Sequence, residues 1–381
     1  MLDYLLRLQG EGTERAILLV TEEPPGSVDD PELRADLVAV GIQWLRLGYD
    51  VRGAQWSQKL RNLLRIHSAS RSFLRGAAER WLVGYLSFGG SYALLLGMLG
   101  LGRSATVCFE PHSRYMTEMG IWGRRSAKAL FMGWLERLQM RRMDALIVPT
   151  RAGEQLALGY GRKGALVRQP ITIDVQRSLH DAAARSHFRQ AHGLNEGDEL
   201  IGYVGKFGGI YYAVEEYLRF LHGMHHVRPT LHFLILAGHA DLDAVRAHAL
   251  FAVLGRSLIL HPPVPPDRLH EVLSAADWGV IAVPPTPAQV FRTPVKTAHY
   301  WAAGLPLIIP RGISDDHTIT AEEGVGVVVD DLRDVDAGRL LVAMDTLRGA
   351  DPKTLRDRCM AAAWKHRDTS NMIRVIRSLL P

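Results

Sequence analysis

A chain of 381 residues, of which 47% are hydrophobic and 22% charged, is too long for one compact core and too apolar to be disordered. This composition predicts two globular domains and excludes repeat arrays, coiled coils and low-complexity proteins. The formal net charge is +5, and the two cysteines, Cys108 and Cys359, lack metal-binding spacing. The amino-terminal residues also lack the pattern of a signal peptide. We therefore expect a reduced cytoplasmic protein without a metal site.

The first half alternates short apolar runs with helical patterns, which is typical of a parallel sheet with crossover helices. The predicted strands are 16–22, 42–47, 81–87, 105–110, 145–150 and 165–168. The uncharged stretch 81–102 is long enough to span a membrane. Its pattern instead predicts a strand, a turn at Gly89 and Gly90, and a helix from residue 92 onward.

The amino terminus departs from the usual order of a nucleotide-binding domain. Such a domain opens with a strand and a glycine-rich loop, whereas this chain opens with a segment that resembles the helix after them. Either the first domain has one strand fewer, or the natural start lies upstream.

Two helical stretches of the first half are basic and aromatic. Six Lys or Arg residues lie between Lys59 and Arg80 against one Glu, and six lie in 124–142 against Glu136. Such faces are either solvated or attracted to anionic lipid headgroups. Nucleic acid is not an expected partner, because no helix-turn-helix, zinc or RNA-binding motif accompanies the charge. A solvated face is the commoner case, and peripheral contact with an anionic membrane, at the inner face of the cell membrane, is the alternative.

The second half repeats the alternation after a polar, Pro-containing linker. Its predicted strands are 199–205, 231–238, 257–262, 278–284, 305–310 and 324–330. The predicted domains are 1–168, a linker at 169–178, 179–365, and a carboxyl-terminal helix at 366–381 that packs back toward the first domain. Both domains are predicted to be Rossmann-like.

The strongest local motif is FRTPVKTAHYWAAGLP, from Phe291 to Pro306. Thr293 suits a helix N-cap and Pro294 the first helical position, so a helix is predicted to begin here. The helix N-terminus attracts anions, and Arg292 and Lys296 add two positive charges. His299 shares the face of Lys296. This motif is suited to binding a diphosphate.

A second motif, GYVGKFGGIYY, places a glycine-rich loop after a buried strand. Gly205 and Gly208 allow backbone amides to approach a phosphate, and Lys206 adds charge. Such a loop alone is more often structural. Together, the two motifs aim positive helix ends at the carboxyl edge of one parallel sheet, where ligands bind.

From Gly202 to Asp331 these runs resemble, in order and spacing, the donor-binding half of glycosyltransferase family four. The resemblance implies an α/β protein of the GT-B fold, with two Rossmann-like domains whose parallel sheets face each other across a cleft. It implies phosphate contacts from Lys206 and Lys296, with Val264 at the backbone position beside the base. The donor-binding residues expected from motifs and resemblance are Gly205, Lys206, Gly208, Val264, Arg292, Thr293, Lys296 and His299.

The family's two glutamates, eight residues apart, match Phe291 and His299, and neither is acidic. Histidine can hydrogen-bond ribose hydroxyls, whereas Phe291 cannot replace a carboxylate.

In the first half, Glu110 and His112 lie at the end of a predicted strand, at the cleft, and are the catalytic candidates. Their structural alternatives are an ordinary ion pair for Glu110 and a cap for His112. Asp315 and Asp316 either line the donor cleft or, as is more common, cap a helix predicted at 317–321.

These observations predict transfer of a sugar from a nucleotide-sugar co-substrate to a glycan or lipid-linked acceptor in cell-surface polysaccharide synthesis. The family resemblance implies retention of configuration. Neither a separate cofactor nor a metal is expected, because Lys206, Lys296 and two helix ends can neutralise the departing diphosphate. The alternatives are a catalytically weakened binding subunit of the same fold and a nucleotide-sugar epimerase.

Overall fold

The apolar runs of the sequence form parallel sheets in two domains. The computed structural model describes residues 4, 5, 7, 16–24, 26, 27, 30–50, 55–195, 197–349 and 351–379. All strand pairs are parallel, and helices connect successive strands. The predicted α/β class is therefore confirmed, and each predicted strand is present within a few residues of its expected position.

The amino-terminal domain contains six strands in two sheets, β1-β2 and β3-β4-β5-β6. The strands are β1 (Ile17–Glu23), β2 (Ile42–Gly48), β3 (Trp81–Tyr85), β4 (Arg103–Val107), β5 (Ala145–Val148) and β6 (Ala165–Arg168). The helices are α1 (Pro31–Ala39), α2 (Gln55–Phe73), α3 (Leu86–Met98), α4 (His112–Glu118), α5 (Ala127–Arg142) and α6 (Arg151–Gly159). Because α3 follows β3 directly, this step of the sheet has almost no connecting loop.

The predicted turn at Gly89 and Gly90 is wrong, because both glycines lie inside α3. A Cβ atom at Gly90 would collide with the side chains of Gln139 and Thr106. A Cβ atom at Gly89 would lie 3.3 Å from Gly84 in β3. The glycines therefore serve close packing of a helix on the sheet, which the sequence does not distinguish from a turn.

The carboxyl-terminal domain is built on one six-stranded sheet in the order β12-β11-β10-β7-β8-β9. Its strands are β7 (Glu199–Val204), β8 (Leu231–Leu236), β9 (Leu258–His261), β10 (Trp278–Val280), β11 (Leu307–Pro310) and β12 (Gly326–Val329). Its helices up to β12 are α7 (Ala182–Ala191), α8 (Val214–Val227), α9 (His239–Ala247), α10 (Ala249–Leu254), α11 (Leu269–Leu273), α12 (Val295–Ala302) and α13 (Asp316–Glu322). Apolar clusters cover both faces of this sheet. The strand order reverses between β7 and β10, and such a switch point opens a ligand-binding crevice at the carboxyl ends of the strands.

Three helices complete the chain: α14 (Ala337–Arg348), α15 (Pro352–Arg367) and α16 (Thr369–Leu379). Helix α15 packs against α12 in the second domain. Helix α16 lies in the first domain, where Met372, Ile373 and Ile376 pack with Val107 and Ile147. A β-bridge between Ile173 and Asp368 marks the crossing point.

The uncharged stretch that could have crossed a membrane is instead β3 followed by the 13-residue helix α3. Over the part of the chain that the structure describes, no helix has the length and apolarity needed to span a bilayer. Cys108 and Cys359 are both buried and unpaired.

Candidate functional site

The two predicted phosphate motifs meet at the switch point of the second domain. Gly205 follows β7, and Lys296 lies in the first turn of α12. A Cβ atom at Gly205, where φ is +154°, would collide with the Nζ atom of Lys296. Glycine is therefore required at this strand end, because any side chain would displace the lysine.

The amino group of Lys296 is buried, although the residue as a whole is half-buried. Its Nζ atom has no hydrogen-bond partner in the structure. The ammonium lies 4.8 Å from the ring centroid of Tyr203 and 4.3 Å from that of Tyr211. Burial lowers the pKa of Lys296 to about 7. The two aromatic rings compensate only part of the hydration that the Lys296 ammonium loses on burial. The ammonium is therefore left to pair with an anionic ligand.

Arg292 adds a second cation just before α12. One of its guanidinium nitrogens, Nη1, is buried without a partner. Its Nε atom lies 3.5 Å from Glu110 Oε2, and its guanidinium lies 4.5 Å from the ring centroid of Tyr115. The backbone amide of Thr293 donates to Glu110 Oε1 at 3.2 Å. Because Glu110 follows β4, a carboxylate of the first domain contacts the start of the donor motif in the second.

The pKa of the Glu110 carboxyl is raised by burial, and Arg292 and the Thr293 amide partly oppose that rise. Glu110 thus has the ion pair that sequence reasoning named as its structural alternative. It also connects the two domains across the cleft.

The predicted N-cap of α12 is wrong. The helix begins at Val295, and Pro294 occupies the N-cap without a side-chain hydrogen bond. The hydroxyl of Thr293 instead accepts a hydrogen bond of 2.6 Å from Arg367. Arg367 is fully buried and also pairs with Asp316. The Thr293 hydroxyl therefore serves as a further hydrogen-bond acceptor for this buried guanidinium.

The predicted capping roles of Asp315 and Asp316 are also wrong. The side chain of Asp315 accepts from the backbone amide of Arg151 at 2.9 Å, across the domain boundary. Asp316 forms the buried pair with Arg367. Neither carboxylate hydrogen-bonds the first amides of α13. The hydrogen-bond and ion-pair partners of both carboxylates are thus residues more than fifty positions away in the sequence.

His299 shares the face of Lys296, as predicted, one turn along α12. Burial lowers the pKa of His299 to about 4, so the ring is neutral near pH 7. Phe291 is buried, and the guanidinium of Arg114 lies 5.1 Å from its ring centroid. The position that matches a glutamate of the resembling family therefore makes a cation–π contact with the first domain here.

The remaining donor residues are more exposed. Lys206 is exposed, and its carbonyl accepts from the Tyr203 hydroxyl. Gly208 has φ +71° and donates to the carbonyl of Tyr212 at 2.9 Å, so it forms the turn of the loop. Val264 is half-buried against the core, in the loop after β9. Their contacts with a nucleotide sugar stay predictions.

His112 is the first residue of α4 and lies among aromatic rings. Its ring centroid is 4.7 Å from that of Phe88 and 5.7 Å from that of Trp122. Burial, followed by the charges of Arg292 and Lys128, lowers the pKa of His112 to about 4. A base of that strength is mismatched to proton abstraction at neutral pH.

Glu136 is a residue that sequence reasoning did not assign to the site. Its carboxylate accepts from the backbone amide of Ser113 at 2.9 Å and from the Ser113 hydroxyl. It thereby fixes the start of α4 and the position of His112. Burial raises the pKa of Glu136 to about 7. The sequence did offer one indication of a special role, because Glu136 is the single acidic residue of the basic, aromatic helix α5.

Strained backbone lies near the same cleft. Among the described residues other than glycine, positive φ occurs at Leu86 (59°), Cys108 (56°) and Ser314 (55°). Leu86 follows β3 and Cys108 follows β4, while Ser314 precedes the interdomain contact of Asp315. Such conformations cost about 1 to 3 kcal/mol each and tend to occur at functional sites.

No curated protein matches the sequence. The family model for the C-terminal domain of glucosyltransferase 3-like proteins matches residues 260–346. This match covers β9 to α14 and therefore includes the donor motif, but not the glycine-rich loop after β7.

Solved structures resemble the chain over nearly its whole length. Anabaena HepE in complex with UDP has a TM-score of 0.69 at 11% identity, covering 100% of this chain and 95% of that one. Sucrose-phosphate synthase from Thermosynechococcus elongatus has a TM-score of 0.68 at 15% identity, covering 96% and 99%. A glycosyltransferase from Rickettsia africae has a TM-score of 0.65 at 10% identity, covering 96% and 99%. The chain therefore has the GT-B fold that these structures share.

Proposed function

We propose that this chain is a glycosyltransferase that binds a nucleotide sugar in the second domain and transfers the sugar across the cleft. The observation that carries the proposal is Lys296, a buried and unpartnered cation at the switch point between β7 and β10. A buried charge without a partner is costly unless a ligand pairs with it. HepE, which shares the fold, binds UDP and UDP-glucose.

The leaving group of the reaction is a nucleoside diphosphate, whose developing charge must be neutralised. Lys296 and the free nitrogen of Arg292 supply two positive charges beside the start of α12. We propose that they do so without a metal ion. Neutral His299 can hydrogen-bond a ribose hydroxyl from the same helix face.

We further propose that configuration is retained. An inverting mechanism requires a general base near the acceptor hydroxyl. His112 is a weak base because its pKa is low, and both carboxylate oxygens of Glu110 are engaged, one by Arg292 and one by the Thr293 amide. Their positions at the end of β4 suit them to hold the sugars instead.

The acceptor is proposed to be a glycan or lipid-linked intermediate in cell-surface polysaccharide synthesis, used at the inner face of the membrane. Support comes from an exposed apolar surface on α2 and α5, called here the aromatic patch. Its residues are each 41% to 62% exposed: Trp56, Leu60, Leu64, Leu130, Phe131 and Trp134. The rings of Trp56 and Phe131, 5.3 Å apart, join the two helices into one surface. Arg61, Arg65 and Arg137 lie on the same helices, which suits anionic headgroups.

Membrane contact predicts binding to vesicles that contain anionic lipid, and less binding at higher salt. The double variant Trp56→Ser, Trp134→Ser should lower the partition coefficient by about tenfold or more, because it removes two large apolar side chains from the interface. Co-sedimentation measures both effects. The matched control is Val342→Ser on α14, where the side chain is 65% exposed outside the aromatic patch. Equal binding of all three proteins would show that the aromatic patch does not insert into the membrane, and binding of none would leave the basic helices as solvated faces.

The low pKa of Lys296 predicts how donor affinity depends on pH. Below pH 7 the lysine is protonated before binding, so affinity should be flat. Above pH 7 binding must take up a proton, and affinity should fall about tenfold per pH unit until the pKa of the complex is reached. Tyr203 and Tyr211 stay neutral over this range, since burial raises their pKa. Titration calorimetry in buffers of different ionisation enthalpy measures the proton uptake on binding. A donor affinity that stays constant from pH 7 to 9 would contradict this prediction.

Transfer itself is tested by incubating the protein with UDP-, GDP-, ADP- and dTDP-linked sugars and a membrane-lipid extract. We expect one sugar to appear in the lipid or glycan fraction and the matching nucleoside diphosphate to be released. Conversion of the donor sugar without an acceptor would instead identify an epimerase. Nucleotide binding without any turnover would identify a binding subunit that has lost the reaction.

A further inference from the structure

Lys128 is a half-buried lysine at the start of α5, the helix that carries part of the aromatic patch. Its ammonium donates to the side-chain oxygen of Gln55 at 3.3 Å and lies 4.7 Å from the ring centroid of Trp122. Among the described residues it forms no ion pair, whereas Lys59, the one lysine of α2, pairs with Glu22. An amide oxygen and a ring are weak partners for a full charge, so the Lys128 ammonium can accept an anion.

The surface around Lys128 is positively charged. Helix α2 contains no acidic residue, and the single acid of α5, Glu136, is buried against the start of α4. Arg124 and Arg125, just before α5, are exposed, and no acidic residue occurs in 119–135. An anion that approaches Lys128 is therefore attracted by both helices and meets no exposed carboxylate on either of them.

Lys128 also lies between the aromatic patch and the cleft. It is three residues before Phe131 on α5, so the two side chains are neighbours on the helix surface, and Phe131 belongs to the aromatic patch. On the other side, the ring of Trp122 lies 5.7 Å from that of His112. Burial, followed by the charges of Arg292 and Lys128, lowers the pKa of His112, so both cations act on this one ring. A series of contacts thus leads from the aromatic patch past Lys128 to the donor motif.

We propose that Lys128 binds the phosphate that joins the lipid to the glycan of the acceptor. The acceptor is then an amphiphile with three parts in a fixed order. Its apolar chain lies on the aromatic patch, its phosphate or diphosphate pairs with Lys128, and its sugar lies in the cleft at His112 and Glu110. The inference rests on the proposed function, because it names the linking group of that reaction's acceptor.

Two detergents with the same chain separate the phosphate contact from the apolar contact: decyl phosphate and decyl glucoside, each below its micelle concentration. Titration calorimetry should show that decyl phosphate binds more tightly. Lys128→Met should weaken decyl phosphate binding by about tenfold, the value of one charge-assisted hydrogen bond, and leave decyl glucoside binding unchanged. Lys128→Arg keeps the charge and should keep the preference for phosphate. The matched control, Lys163→Met, removes an exposed lysine between α6 and β6 and should change neither affinity.

The contact of the chain is tested with the double variant Trp56→Ser, Trp134→Ser. This variant should weaken both detergents by the same factor, because it removes apolar surface without changing the charge. Unchanged binding of decyl phosphate in this variant would overturn the proposed path from the aromatic patch to Lys128.

Three further results would overturn the phosphate site. Lys128→Met might bind decyl phosphate as tightly as the unaltered protein, which would exclude the contact. Lys163→Met might lose as much affinity as Lys128→Met, which would indicate a general charge effect. Inorganic phosphate at the same concentration might displace decyl phosphate, which would indicate a site for free phosphate instead of a lipid.

Donor binding is measured separately, by the shift in melting temperature that nucleoside diphosphates cause. Lys128→Met should show the same shift as the unaltered protein, because the Lys128 ammonium contacts Gln55 and Trp122 and not the donor motif. A protein that binds decyl phosphate through Lys128 but binds no nucleotide would keep the phosphate site and contradict the proposed function. A protein that binds a nucleotide but has no preference for decyl phosphate would do the reverse.

Discussion

Replacing Lys296 by methionine is expected to weaken nucleoside diphosphate binding by about 10- to 100-fold, the value of one charge-assisted hydrogen bond. The same change should raise the melting temperature of the ligand-free protein by a few degrees. Methionine has a similar length, and it fills the space beside Tyr203 and Tyr211 without an unpaired buried charge. A residue that costs stability and serves binding is characteristic of a functional site.

Lys206→Met is the matched control, because Lys206 is exposed on the glycine-rich loop of the same site. It should leave the melting temperature unchanged, and any loss of affinity should be smaller. Thermal unfolding with and without nucleotide measures both quantities. If Lys296→Met lowers stability and keeps full affinity, Lys296 is a structural residue and the donor site lies elsewhere.

Replacing Arg367 by alanine should destabilise the protein by about 3 to 5 kcal/mol, the usual cost of leaving one member of a buried ion pair alone. The Arg367 guanidinium is fully buried, pairs with Asp316, and donates to Thr293 Oγ1 at 2.6 Å and to the carbonyl of Ile171 at 3.0 Å. It therefore connects the donor motif, α13 and the chain that links the domains. Its loss should also weaken nucleotide binding, because Thr293 precedes α12.

Arg339→Ala is the control for this prediction. Arg339 pairs with Asp336 at 3.6 Å but is 90% exposed, so its removal should cost less than about 1 kcal/mol. Chemical denaturation followed by circular dichroism measures the two free energies of unfolding. Equal losses of unfolding free energy in the two variants would mean that Arg367 does not hold the donor motif, α13 and the linking chain together.

The sequence predicts the sheets well, because buried parallel strands are short apolar runs with little ambiguity. The run 199–205 became β7 (Glu199–Val204), and the run 305–310 became β11 (Leu307–Pro310). The glycines of α3 are an exception, because in a sequence a glycine that permits close packing looks the same as one that permits a turn. Only the contacts of Gly90 with Gln139 and Thr106 distinguish the two.

The parts of the donor site that follow directly from the order of strands and helices were predictable from the sequence. Gly205 and Lys296 come together because each follows a recognisable element of one sheet. The partners of Thr293 and Asp316 were not predictable, since Arg367 is 74 residues from the first and 51 from the second. The aromatic rings around Lys296 and the aromatic cage of His112 likewise depend on packing between distant segments.

The central claim is that Lys296 and its neighbours bind the diphosphate of a nucleotide sugar. A thermal-shift panel of UDP, GDP, ADP, CMP and dTDP tests it most directly, because a ligand at a hundredfold excess over its dissociation constant stabilises the folded state by about 2.7 kcal/mol. The account predicts a shift with one nucleoside diphosphate that is greatly reduced in Lys296→Met. No shift with any nucleotide, or a full shift in the variant, would contradict it.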